Sequence, residues 1–93
     1  MIDGVQIKNL VTHNTPTGFF RELLRCDDKI FKEFGQVALS TTKAGEIKAF
    51  HWHKEQDDIF YVLHGKAKIV LHDLRGSSPT FKHTGELIMS EDE

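Results

Sequence analysis

One cysteine, Cys26, stands in a chain of 93 residues, so an internal disulfide is impossible and the paired Cys-x-x-Cys motifs of a structural zinc site are missing. Such usage fits a reducing compartment, and a cytoplasmic location is expected. No apolar run approaches membrane-spanning length, and the opening Met1-Ile2-Asp3-Gly4 has neither the basic nor the apolar region of a leader. Charge of one sign is also lacking: 12 Lys and Arg face 14 Asp and Glu, interspersed, for a formal net charge of -2. With no basic stripe or polybasic cluster, neither a nucleic acid nor a membrane surface is an expected partner. What is present is a globular mixture, 39% hydrophobic and 28% charged, which argues against disorder. A chain this short makes a single domain, residues 1–93, with a thin core.

The pattern along the chain is mainly β. Loose alternation predicts a first strand over 5–11, and Asn14-Thr15-Pro16-Thr17-Gly18 breaks it as a loop. Residues 19–25 read as a second strand. Asp27 or Asp28 is placed to cap a short helix over 29–34, with Gly35 as its stop. Strands are then expected over 36–42 and 46–53, joined by a turn at Lys43-Ala44-Gly45. The clearest pair is 59–64 and 66–73 around Gly65, which reads as a tight hairpin. After the turn cluster Arg75-Gly76-Ser77-Ser78-Pro79 comes a weaker strand over 81–90. Many short strands with regular turns predict a barrel or sandwich.

Histidines carry the candidate chemistry. On a strand, side chains at i and i+2 share a face, so His51 and His53 are expected on one side and Phe50 and Trp52 on the other. Asp58 follows His53 by five residues, and Gly65 follows Asp58 by seven. Together with Gly45 this resembles the first cupin motif, with aspartate where that motif carries glutamate. A bare His-x-His is most often a half-exposed polar face; its register with the two glycines and the acid is what singles it out. His13, His64, His72 and His83 lack such company and read as surface or loop residues, and Cys26 as packing.

The resemblance extends further. Gly18-Phe19-Phe20-Arg21-Glu22, Phe34-Gly35-Gln36-Val37, Ile47-Lys48-Ala49-Phe50-His51-Trp52-His53, and Leu71-His72-Asp73-Leu74-Arg75 with Ser78-Pro79-Thr80-Phe81 resemble the dTDP-4-dehydrorhamnose 3,5-epimerase family of nucleotide-sugar enzymes, in a histidine-rich branch. That resemblance implies an antiparallel cupin barrel (jelly roll), here incomplete because the second cupin motif is not reached by Glu93. It implies an isomerase of dTDP-rhamnose biosynthesis that needs no cofactor. His51 would be the base that takes a proton next to the ketone of a 4-keto-6-deoxy nucleotide sugar. Glu22, Lys48, Lys54 and His53 would contact that substrate, and the chain would pair as a homodimer through its N-terminal strand.

Departures from the family keep other readings open. Asp58 stands where the family carries a lysine for the enolate oxygen, and Thr17 where it carries a phosphate-binding arginine. The alternative is a metal-binding cupin in which His51, His53 and Asp58 hold a divalent cation. A third reading is a non-catalytic carbohydrate-binding or assembly module.

Overall fold

The computed structural model describes residues 1–92. Its elements are four strands: β1 (Thr12–Thr15), β2 (Gly18–Arg21), β3 (Lys66–His72) and β4 (Thr84–Ser90). They form two separate antiparallel pairs, β1 with β2 and β3 with β4. The chain is thus mainly β, as the residue pattern indicated, but the described residues close no barrel and contain no helix.

Register explains the larger pair. Ala67 opposes Met89, Ile69 opposes Leu87 and Leu71 opposes Gly85, so the half-buried residues of both strands share one face. The opposite face carries Lys68, Val70 and His72 facing Ile88, Glu86 and Thr84, and there His72 Nδ1 lies 2.8 Å from Thr84 Oγ1. Alternation of this kind fixes the strands against slippage, because a shift by one residue would turn the apolar set to solvent. Gly85 leaves the inner face open, and the N-terminus fills it. A Cβ at Gly85 would fall 3.0 Å from Met1 Sδ and 3.5 Å from Ile2 Cγ1. Ile2 is accordingly the buried apolar side chain, at 8% exposure.

Three sequence expectations are corrected. First, β3 pairs with β4 rather than with 59–64. Gly65, at φ 87°, redirects the chain, and its carbonyl accepts the Glu91 N–H at 3.0 Å instead of closing a hairpin. The connection 73–83 is closed by Asp73, the buried polar residue, at 3% exposure. Its Oδ1 accepts the Arg75 N–H and Nε–H, both at 2.9 Å; its Oδ2 accepts Ser78 Oγ at 2.5 Å, Thr80 Oγ1 at 2.6 Å and Arg75 Nη2 at 3.0 Å. The backbone ladder runs on past it, with the Asp73 N–H donating to the His83 carbonyl at 3.0 Å and the Lys82 N–H to the Asp73 carbonyl at 2.8 Å.

Second, the helix expected over 29–34 is absent. Asp28 does not cap: its carboxylate accepts the Arg25 N–H at 2.7 Å and the Lys8 ammonium at 2.5 Å, and two successive turns follow, Asp28 to Arg25 and Phe31 to Asp28. Third, the first strand lies at Thr12–Thr15 rather than at 5–11, because Pro16-Thr17 forms the loop of a short hairpin that pairs Thr15 with Gly18. Arg21 ties this hairpin to the rest. It reaches Thr12 Oγ1 at 2.8 Å, Tyr61 Oη at 3.1 Å and the Glu91 carbonyl at 3.2 Å, with its guanidinium 4.8 Å from the centre of the Phe19 ring.

Candidate functional site

The histidine segment lies between the two hairpins. A turn closed by the Glu46 N–H on the Lys43 carbonyl, at 3.0 Å, sends the chain into it, and Gly45 supplies the positive φ of 82° that this turn needs. Residues 46–53 then run without a ladder partner, so the strand from which His51 and His53 were expected to project is not formed among the described residues.

His53 and Asp58 are brought together. His53 Nε2 lies 3.3 Å from Asp58 Oδ2, and the side chains are 40% and 38% exposed. Gln56 Nε2 donates to the other carboxylate oxygen at 3.1 Å. A carboxylate on one ring nitrogen orients an imidazole and leaves the second nitrogen free to exchange a proton with a ligand. His51 is exposed and does not complete a set: the described residues gather no group of three or more His, Cys, Asp or Glu side chains fit to hold a metal ion.

The remaining predicted residues are dispersed. Glu22 pairs with Arg25 at 3.5 Å; Lys48 donates to Ser40 Oγ at 2.7 Å and to the Thr41 carbonyl; Lys54 is exposed. Lys48 is thereby committed to its own turn rather than held beside His51. Reading of the sequence missed Asp73, the best-satisfied polar group. Its signal was an aspartate two residues before an arginine and within reach of Ser78-Pro79-Thr80, a spacing suited to a side-chain clasp around a turn. The Arg75 guanidinium, then the Ser78 and Thr80 hydroxyls, hold its carboxyl well below the usual carboxylate range.

Residues 13–88 match the model of the family described as polysaccharide biosynthesis C-terminal domain. The chain belongs to this family. Within the curated proteins, the spore coat polysaccharide biosynthesis protein SpsL of Bacillus subtilis is 46% identical over 92 residues, covering 99% of this chain. The chain spans 61% of that relative's length. No solved structure matches it.

The family match overturns the resemblance drawn from the sequence. The dTDP-4-dehydrorhamnose 3,5-epimerase assignment, its nucleotide-sugar isomerase activity and the place in dTDP-rhamnose biosynthesis are replaced by membership of the polysaccharide biosynthesis family; the metal-cupin and carbohydrate-module alternatives gain no support either. The cause lies in what the quoted residues encode. Paired aromatics, Gly-bounded turns and a His-x-His on an extended segment are compatible with many β scaffolds of unrelated function, so a likeness in them does not fix the reaction. No helix of the described residues is long and apolar enough to cross a membrane.

Proposed function

We propose that the chain serves in the biosynthesis of a polysaccharide, and that His53 and Asp58 of the 51–58 segment take part in that process. The contact of His53 with Asp58, inside the stretch that matches the family, carries the reading. The name of the Bacillus relative supports the process: it is a spore coat polysaccharide biosynthesis protein. The chemistry of the pair supports the role. The Asp58 carboxylate lies against the His53 imidazole, His53 is half-open to solvent, and the nearby Lys54 and His51 are exposed polar groups within the same segment.

Complementation tests both parts. In the organism that carries the gene, deletion should lower polymer output, the unmodified gene should restore it, and His53→Ala or Asp58→Asn should restore far less at equal protein level. A deletion strain with undiminished polymer would refute the process. Full restoration by both variants would refute the residues while leaving the process standing.

A further inference from the structure

Three arginines occur in the chain, and two of them are matched to carboxylates. Arg75 lies 2.9 Å from Asp73, and Arg25 lies 2.9 Å from Asp27 and 3.5 Å from Glu22. Arg21 is different: among the described residues its hydrogen-bond partners are two hydroxyls and a main-chain carbonyl, all neutral. The Glu91 carboxylate does not serve it, being turned to His64 Nδ1 at 3.0 Å. Arg21 is half-buried, with its Cζ over the Phe19 ring. A cation so placed has given up part of its hydration without gaining a counter-charge.

The donors around it are unspent. Nε of Arg21 donates to Thr12 Oγ1 at 2.8 Å and Nη1 to Tyr61 Oη at 3.1 Å, so each hydroxyl is an acceptor here and keeps its own proton for another partner. Neither hydroxyl donates to any described residue, and Nη2 of Arg21 has no acceptor among them. In the planar guanidinium Nη2 stands between Nε and Nη1, and therefore between the nitrogens that hold the two hydroxyls. Antiparallel pairing sets Thr12 directly opposite Arg21, and Tyr61 arrives from the stretch before Gly65. Thr12 and Tyr61 are half-buried like the arginine.

We propose that Arg21, flanked by Thr12 and Tyr61, binds an oxyanion of a small ligand, either a phosphate or a carboxylate. An oxyanion is acceptor-only, which answers a cluster made only of donors, and a guanidinium edge matches two of its oxygens at once. Thr12 and Tyr61 then turn their protons to the same group. None of these three residues belongs to the His53–Asp58 pair, so the inference stands apart from the function proposed above.

Titration of the 93-residue chain with sodium phosphate up to about 10 mM at constant ionic strength, followed by NMR of the arginine Nε–H groups, provides the test. The expected result is a saturable shift at Arg21, with Arg25 and Arg75 unmoved. A parallel titration with sodium acetate distinguishes the two sources, the tighter ion marking a tetrahedral or a planar ligand. Thr12→Val and Tyr61→Phe should each weaken binding about tenfold, Thr12→Ser should retain it, and Arg25→Gln should leave it unchanged. A shift that never saturates with either ion, or that sodium chloride reproduces, overturns the proposal as ordinary screening. A saturable shift centred on Arg25 or Arg75 overturns it too, as does affinity untouched by both Thr12→Val and Tyr61→Phe.

Discussion

Replacing Thr80 with valine tests whether the Asp73 clasp holds the β3–β4 connection. The substitution keeps the side-chain shape and removes one hydroxyl, which donates to Asp73 Oδ2 at 2.6 Å and accepts the Asp3 N–H at 2.9 Å. The Asp3 amide is exposed, so water replaces that partner at little cost. The loss to Asp73 is different, because its side chain is 0% exposed and a vacated lone pair finds no solvent. A hydrogen bond to a charged group contributes about 1.5–3 kcal/mol. Four other donors to Asp73 remain, so the expected cost lies near the middle of that range, about 2 kcal/mol. For a domain of this size that is a fall in Tm of about 8–16 °C. Thermal unfolding followed by circular dichroism reads it, with Thr84→Val as the control, since that hydroxyl bonds His72 at an exposed site. A Thr80→Val loss below about 0.5 kcal/mol, no more than an ordinary surface change, would refute the clasp.

Acid should act through the same carboxylate. The folded value of Asp73 lies below the usual range, so its contribution is fully present above the unfolded value of about 3.9 and is lost as pH falls below it. The Asp73 carboxyl carbon should therefore show no NMR titration between pH 7 and about 4, and a midpoint near 3.9 in the folded protein would contradict the hydrogen-bonded site. Arg21→Ala should cost about 2 kcal/mol and free the β1–β2 hairpin, seen as faster amide exchange over 12–21 with β3 and β4 unchanged. Lysine should not rescue it, because one ammonium lacks the guanidinium fork. Lys82 holds a φ of 66°, so Lys82→Gly should raise stability by up to about 1 kcal/mol, and any fall in denaturation midpoint would count against strain there.

Local patterning was legible where one face is covered. The alternation over Lys66–His72 and Thr84–Ser90 announced both strands because their inner residues have something to meet. Their partnership was not legible, since an Asp73 carboxylate gathering donors from Arg75, Ser78 and Thr80 outweighs a single glycine at 65 as a chain reverser. Residues 36–42 and 46–53 read as strands on composition, yet a strand needs a partner as well as a propensity, and the described chain gives them none. At the candidate site Asp58 lies against His53 while His51 stays apart from both. The sequence did not foresee that Glu22 and Lys48 would be held by Arg25 and Ser40, because side-chain competition for near neighbours leaves no periodic trace.

The clasp around Asp73 also sets an order of disassembly. Its donors lie two, five and seven residues along the chain, whereas the contacts that dock the N-terminus on it, Arg75 to the Asp3 carbonyl and Asp3 to Thr80, span 72 and 77 residues. Closing the longer loop costs about 2 kcal/mol more in chain entropy than closing the shorter. Met1 and Ile2 can therefore lift off Gly85 while the connection beneath them keeps its shape, and the 66–90 hairpin can persist as a cooperative unit after the N-terminus has been released.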